Sequence, residues 1–290
     1  MIKIPNKIYT YISSIRKVTY DDGYVFLSTN SNVYCYVPVS MNVDVYSYLN
    51  TISFYDYYRP VNDPDDPFEL FMVDSTEKGN GFSALTSLYQ KSAVFQYFSD
   101  DQKNKIFQTM MSQFQKKTYY YHEMQNRIEE MLFPRKIFYD FIINISDFYH
   151  TLDIGKYFLT KWKTNNPNKY FEVLTLRRLS PTNFLNQKIC DFSFSKRDYY
   201  VYELANYYQK YFQSESILQE IDDLLNSFSL SLDDCYLFYV LISIPPEWDD
   251  EEDIPVVISY VKKTYSFLLE KQEENQEREE TMFQKQQNDI

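Results

Sequence analysis

Three consecutive stretches of sequence decide how this chain is interpreted: LTLRRLSPTNFL at residues 174–185, ICDFSF at 189–194 and SKRDYYVYELA at 195–205. They interrupt a long series of helix-like patterns with short apolar runs that are typical of strands. Two adjacent arginines, Arg177 and Arg178, lie in the first stretch together with Asn183, and Asp191 follows an apolar run in the second. Guanidinium, amide and carboxylate groups so close in the sequence indicate a candidate site.

Each of these residues also has a structural interpretation. Asn183 could cap a helix or occupy a turn. Asp191 could be a buried carboxylate that accepts hydrogen bonds from backbone amides. Arg177 and Arg178 could be a surface pair, could bind an anion, since paired guanidinium groups favour phosphate or carboxylate, or could neutralise Asp191. The residues alone leave these alternatives open.

The three stretches resemble the catalytic core of kinases of the aminoglycoside and choline phosphotransferase superfamily, and they are most similar to its spore-coat-associated branch. In that superfamily a loop of the form H-G-D-L-x-x-x-N precedes a short strand that ends in a magnesium-binding Asp, and a helix start resembling Tyr-Asp-Leu-Ala follows. The resemblance aligns Leu179 with the loop leucine, Asn183 and Asp191 with the magnesium ligands, and residues 202–205 with the helix start. It implies that the side chains of Asn183 and Asp191 converge on one metal ion in a cleft between two lobes.

The departures from that pattern imply a degenerate site. Leu176, Arg177 and Arg178 stand where the family has His, Gly and the catalytic Asp. A guanidinium stays protonated at physiological pH, so Arg178 cannot act as a general base, and losing a base lowers the rate by about 10²–10⁴. Residues 33–38, which match the third strand, lack the phosphate-binding Lys, and the first hairpin turn has only Gly23 beside two aspartates that would repel a triphosphate. We therefore predict a pseudokinase without catalytic residues, in which Asn183 and Asp191 are remnant magnesium positions.

The order of patterns along the chain agrees with this resemblance. Residues 15–20, 24–28, 33–37, 58–60 and 68–73 alternate like strands and are separated by turn-rich segments, with a short helix predicted at about 40–52. Helical periodicity follows at 82–89, 100–120, 122–132, 134–150, 153–162, 199–212, 216–228 and 232–241. The fold class we predict is α+β, a bilobal protein-kinase-like fold with a small antiparallel β-rich N-lobe and a larger, mainly helical C-lobe. The predicted division is an N-lobe at 1–75, a linker at 76–81, a C-lobe at 82–268 and a polar tail at 269–290.

Composition excludes several classes of function. Hydrophobic residues make up 44% of the 290-residue chain and charged residues 24%, which is typical of a globular protein. The net charge of -12 argues against binding to nucleic acid or to anionic membranes, because both need a basic surface. The chain has 4 glycines and no glycine-rich phosphate-binding motif, which excludes P-loop and dinucleotide-binding folds.

Other catalytic candidates are few. His122 and His150 lie on predicted helices without a Cys or a second His at metal-ligand spacing, so we expect structural or surface roles for them. Cys35, Cys190 and Cys235 are widely spaced and odd in number, as is typical of reduced thiols in a cytosol. The sequence shows no apolar leader and no apolar run of ~18 residues, so we expect a cytoplasmic protein.

Three functions are compatible with these observations. The favoured one is a catalytically inactive kinase-like protein that acts as a binding or scaffold module, with a protein partner and no cofactor. The second is an atypical small-molecule kinase that uses Mg-ATP and supplies its base and its phosphate-binding lysine from elsewhere, with Lys17, or Lys196 and Arg197, as the substitutes. The third is a structural or assembly protein of no kinase ancestry, in which Asn183 and Asp191 point apart.

Overall fold

The computed structural model describes residues 8–12, 14–21, 24–38, 45, 48–49, 51–54, 59–61, 68–73, 81–185, 188–189, 191–192, 194–228, 232–247 and 251–288. The predicted linker at 76–81 lies outside the described residues except for Gly81. Gly23 of the first hairpin turn, Cys190 and most of the predicted helix at 40–52 lie outside them as well.

Five strands near the N-terminus form one antiparallel sheet, as the alternating pattern predicts. After helix α1 (Ile8–Tyr11) come β1 (Lys17–Asp21), β2 (Tyr24–Ser28), β3 (Val33–Pro38), β4 (Arg59–Val61) and β5 (Phe68–Val73), in the spatial order β1-β2-β3-β5-β4. Ile8 and Ile12 pack against Val25, Leu27 and Tyr36 of this sheet. Burying these side chains is what fixes the register of β2 on β3.

Four elements lead from this sheet into the helical part of the chain: α2 (Phe82–Ser92), β6 (Val94–Tyr97), α3 (Asp100–Glu129) and α4 (Lys136–Asn165). The side chain of Ser99 accepts a hydrogen bond from the Gln102 N–H at 3.1 Å, and the Gln102 side chain accepts one from the Ser99 N–H at 2.8 Å. This capping box confirms the helix start predicted at Ser99 or Asp100.

The predicted helix ends near residues 120 and 150 are wrong, because α3 and α4 each run for 30 residues. Tyr121 is fully buried and its ring lies 5.0 Å from that of Phe148, so packing carries α3 through the expected break. Gly155 sits inside α4 where an added Cβ would come within 1.9 Å of Ser243 Oγ. That close approach explains a glycine at a position where helix propensity alone disfavours it by about 1 kcal/mol.

Strands return after α4. β7 (Lys169–Thr175) is followed by a 3₁₀ turn (Pro181–Asn183), the short hairpin β8 (Phe184–Leu185) and β9 (Lys188–Ile189), and β10 (Lys196–Tyr199). β10, β7 and β6 form a three-stranded sheet in that order, with Thr175 of β7 opposite Lys196 of β10. This sheet holds both ends of the segment that carries the candidate site.

Four α-helices follow in the described chain: α5 (Tyr200–Tyr211), α6 (Ile217–Phe228), α7 (Leu232–Ile242) and α8 (Ile254–Asn288). Helix α8 continues through the segment predicted as a polar tail. Within that segment Asn275 is buried; it accepts a hydrogen bond from Tyr236 Oη and donates one of 2.8 Å to Tyr157 Oη.

The chain forms two compact units, and the first is assembled from residues 1–96, 171–203 and 219–228. Its interior includes the rings of Tyr89, Phe171, Tyr200 and Phe228, with Phe228 5.0 Å from both Phe171 and Tyr200. The second unit contains residues 97–170, 204–218 and 229–290. The predicted class, a mixed α+β protein with a small antiparallel sheet followed by a larger helical region, is confirmed.

The helices of the described residues differ from membrane-spanning helices. None of these helices combines the length and the apolar character that crossing a bilayer requires.

Candidate functional site

In the loop that follows β7, two exposed side chains lie between two buried ones. Leu176 and Leu179 are buried, whereas Arg177 and Arg178 between them are exposed. The preceding residue, Thr175, donates from its hydroxyl to the backbone oxygen of Lys196 at 3.0 Å. The two leucines therefore anchor the loop in the interior, and the two guanidinium side chains face solvent.

The buried carboxylate of Glu203 holds this loop through a hydrogen bond to its backbone. Glu203, in the first turn of α5, is 7% exposed, and its Oε1 accepts a hydrogen bond of 2.6 Å from the Arg177 N–H. Its Oε2 accepts a second hydrogen bond of 2.6 Å from the hydroxyl of Tyr89 on α2. Glu203 thus joins the loop to helix α2 within the first compact unit.

Burial raises the pKa of both Glu203 and Tyr89. Desolvation raises the pKa of Glu203 to about 7, although the hydrogen bonds from Tyr89 and from the Arg177 and Leu176 N–H groups lower it in part. Burial, together with the nearby Glu203 charge, raises the pKa of Tyr89 well above its usual value. The carboxyl that supports the loop therefore changes its charge near neutral pH.

Two residues of the candidate site have left-handed backbones. Arg177 has a φ of 62° and Asp191 a φ of 63°. For a residue other than glycine this conformation costs roughly 1–2 kcal/mol. At Arg177 the hydrogen bond to Glu203 holds the strained backbone in place.

Arg178, which occupies the position of the expected base, is stacked on an aromatic ring. Its guanidinium carbon lies 3.7 Å from the ring centroid of Phe194. Across the residues that the structure describes, no carboxylate comes within 4.0 Å of a guanidinium nitrogen of Arg177 or Arg178. The loop therefore presents two positive charges without a paired acid in this part of the chain.

Asn183 closes the 3₁₀ turn. Its Oδ1 accepts hydrogen bonds from the backbone N–H of Ser180 at 2.8 Å and from the Ser180 hydroxyl at 3.1 Å. An amide oxygen has two lone pairs, and both are used here. The turn role was one of the two interpretations that the sequence left open.

Asp191 lies beyond the β8–β9 hairpin. Phe184 pairs with Ile189, so Asn183 and Asp191 flank the open end of the same hairpin, with Cys190 outside the described residues. Magnesium takes oxygen ligands, and the Asp191 carboxylate is a suitable one, but the Asn183 oxygen is already bonded to Ser180. The magnesium role of the two side chains stays a prediction.

Lys17, Lys196 and Arg197, the candidate substitutes for the missing phosphate-binding lysine, differ in their surroundings. Lys17 lies on β1 opposite Ser28 and is exposed. Lys196 pairs with Asp198 at 3.0 Å. Arg197 donates to Tyr48 Oη at 2.6 Å and to the Ser92 carbonyl at 3.1 Å, and its guanidinium stacks on the Tyr48 ring at 4.7 Å. The last two side chains therefore have structural partners.

Both histidines contact residues of the helices that surround them in sequence or in space. His122 contacts Asn126 one turn further along α3, and the His150 ring lies 5.8 Å from that of Tyr265. Cys35 and Cys235 are buried. Among the described side chains, no group of three or more His, Cys, Asp and Glu residues could hold a metal ion.

A crystal structure of an aminoglycoside phosphotransferase from Alicyclobacillus acidocaldarius superposes on this chain with a TM-score of 0.58, covering 94% of this chain and 97% of the other. The chain has a kinase-like fold. The sequence identity is 9%, so the likeness concerns the fold and not the chemistry. No protein-family profile and no curated protein sequence matches the chain.

Two other solved structures align with the chain at lower TM-scores. A choline kinase from Streptococcus pneumoniae has 11% identity and a TM-score of 0.34, over 92% of this chain and 89% of the other. A spectinomycin phosphotransferase crystallised with ADP and spectinomycin has 10% identity and a TM-score of 0.38, over 88% of this chain and 93% of the other.

Within the kinase-like fold, Glu203 and Tyr89 are the residues whose importance sequence reasoning missed. Glu203 was noted only as part of a helix start. One signal was available: a carboxylate three residues after Tyr200 and four before Tyr207 lies on the apolar face of a helix. Its partner Tyr89 is 114 residues away, and no local pattern predicts that contact.

Proposed function

We propose that this protein is a kinase-like protein that does not transfer phosphoryl groups and that acts as a binding or scaffold module. The observation that carries the proposal is the stacking of Arg178 on Phe194 at 3.7 Å, at the loop position where the resemblance implies a proton acceptor. A guanidinium remains protonated, and its stacking holds it in the loop.

The hydrogen bonds of Asn183 support the same proposal. In a working kinase site of the resembling type, this side chain would give its oxygen to magnesium. Here the oxygen accepts two hydrogen bonds from Ser180 and serves the turn. Binding magnesium through this oxygen would require at least one of these hydrogen bonds to break.

The surroundings of two of the three candidate phosphate-binding cations also support it. β3 has no lysine, and Lys196 and Arg197 are engaged by Asp198, Tyr48 and Ser92. A triphosphate would have to displace these partners to gain a comparable contact.

A protein is the partner class that we propose for the module. Large apolar side chains are exposed in the described part of the chain, including Leu132 at 91% and Phe133 at 94% in the turn after α3. Aromatic and aliphatic side chains of this kind are enriched at the centres of protein interfaces.

The test is a thermal shift of the purified protein with ATP, ADP and AMP, each with and without magnesium, beside a single-turnover assay of ATP consumption. A ligand at 100 times its dissociation constant adds about 2.7 kcal/mol, which moves the midpoint by about 2 °C or more. We expect no magnesium-dependent shift and no ATP consumption.

The matched variants are Asp191→Asn, which removes the charge but tolerates the left-handed backbone, and Asp198→Asn as the control. A magnesium-dependent shift that Asp191→Asn abolishes and Asp198→Asn retains, together with ATP consumption, would overturn the proposal in favour of the atypical kinase.

A further inference from the structure

The loop that carries Arg177 and Arg178 has the features of an anion-binding site. Both side chains are exposed, they are adjacent in the sequence, and within the described ranges neither is paired with a carboxylate. They place two positive charges side by side in a chain whose net charge is -12. We propose that Arg177 and Arg178 bind the phosphate group of a small phosphorylated molecule.

The backbone at Arg177 supports a role for its side chain. Its φ of 62° is a conformation that glycine adopts without strain, and glycine is the residue that the resemblance implies at this position. Strained backbones of this kind concentrate at functional sites. An arginine that is held in a glycine conformation and directed to solvent has no packing role that would account for the strain.

The loop is also organised before any ligand arrives. Glu203 fixes the Arg177 N–H at 2.6 Å, and Asn183 fixes the Ser180 N–H at 2.8 Å, so the backbone is held on both sides of Arg178. Binding to a preorganised loop loses less conformational entropy than binding to a mobile one.

Phe194 orients the second guanidinium. Stacking at 3.7 Å covers one face of the Arg178 group and leaves its N–H edge available. That edge carries the planar fork of donors that matches two oxygens of a phosphate. A dianion such as a phosphate monoester matches the two positive charges of the loop.

This inference rests on the proposed function only in that the loop is not catalytic, and its test uses no metal. Inorganic phosphate and phenyl phosphate are titrated into the full chain in the presence of EDTA and followed by calorimetry. Sulfate serves as a second tetrahedral dianion. We expect saturable binding of both phosphates, weakened roughly 10-fold or more in Arg178→Lys, which keeps the charge and loses the fork.

The decisive variant is Arg177→Gly. It removes one cation and relieves the left-handed strain, so we expect phosphate binding to weaken at least 10-fold while the thermal midpoint stays equal or rises. A merely structural arginine would lower the midpoint instead. Arg127→Ala removes an exposed arginine from α3 in the second compact unit and should leave phosphate binding unchanged.

Three outcomes would overturn the inference. They are no saturable binding up to about 100 mM phosphate, equal affinity in the parent chain and both loop variants, or the same loss in Arg127→Ala. Magnesium-dependent ATP consumption would instead contradict the proposed function. The phosphate titrations in EDTA would still show whether Arg177 and Arg178 bind phosphate.

Discussion

The backbone N–H of Arg177 donates a 2.6 Å hydrogen bond to the buried carboxylate of Glu203, 26 residues further along the chain. The same carboxylate accepts the hydroxyl of Tyr89. A group whose pKa lies at about 7 therefore supports the loop that carries both arginines. This contact makes the stability of the loop depend on pH.

The first prediction concerns that dependence. The pKa of Glu203 is raised from 4.5 to about 7 on folding, so the folded protein holds this proton more tightly than the unfolded chain does. Stability should then fall as the pH rises from about 4.5 to about 7 and stay level above that range, with a total loss on the order of 3 kcal/mol from this group. Urea unfolding at pH 5 and pH 8 measures it.

Glu203→Gln is the matched variant, because a neutral amide can accept from the Arg177 N–H and donate to Tyr89. We expect it to equal the parent chain at pH 5 and to exceed it in stability at pH 8. If the variant and the parent lose stability equally between these pH values, Glu203 is not the titrating group.

A second prediction separates the turn role of Asn183 from a magnesium role. Asn183→Ala removes the acceptor of two hydrogen bonds from Ser180 and should lower the unfolding free energy by about 1–2 kcal/mol. Asn183→Asp keeps an oxygen acceptor and should lose much less. The loss of unfolding free energy in each variant, measured by urea unfolding, should be the same with and without 10 mM magnesium. Stabilisation of the parent chain by magnesium that Asn183→Ala abolishes would favour the metal ligand instead.

A third prediction uses the close packing of Gly81 on Phe184. A Cβ built at Gly81 would lie 1.8 Å from Phe184 Cδ1, and Phe184 is 2% exposed. Gly81→Ala should therefore lower stability by about 2 kcal/mol or more through overpacking. Phe184→Leu removes part of the ring, so the double variant should be more stable than the sum of the single effects by at least about 1 kcal/mol.

The control for the double-mutant cycle of Gly81 and Phe184 is Ser83→Ala. It lies at an exposed position of α2 and should change stability by no more than about 0.5 kcal/mol. Additive behaviour of Gly81→Ala and Phe184→Leu would show that the two residues do not clash.

A fourth prediction concerns Arg197. Its guanidinium bonds both Tyr48 Oη and the Ser92 carbonyl, a fork that lysine cannot reproduce. Arg197→Lys should lower the unfolding free energy by about 1–2 kcal/mol, and Tyr48→Phe should add little to it because the two residues share one contact. Lys196→Ala, which removes a half-exposed ion pair, should have a smaller effect, below about 1 kcal/mol. Equal losses in Arg197→Lys and Lys196→Ala would contradict the structural role of Arg197.

The fold was predictable where local patterns decide it. Turn residues between runs of alternating apolar and polar side chains predicted the strands of the first sheet, and the helical period of apolar residues predicted the helices. The break expected near residue 121 failed because Tyr121 packs on Phe148, a contact that no local pattern records. β6 was missed because 4 residues between two helices carry too little pattern.

The candidate site was predictable only in part. The sequence drew attention to the segment with Arg177, Arg178, Asn183 and Asp191, and it offered a turn role for Asn183. It could not show which role applies, because the hydrogen bonds from Ser180 depend on side-chain orientation. The support from Glu203 depends on burial, which only the folded chain creates.

The first compact unit has a consequence for synthesis, because it is built from three separate parts of the chain. Ser92 bonds the Leu174 N–H and the Arg197 guanidinium, so it meets its partners only after the intervening helical segment has been made. At about 5–20 residues per second, the nascent N-terminal sheet emerges on the order of ten seconds before those partners do. During that interval the partly assembled unit exposes apolar surface, so the ribosome-bound chain is the form in which chaperones have the most to protect.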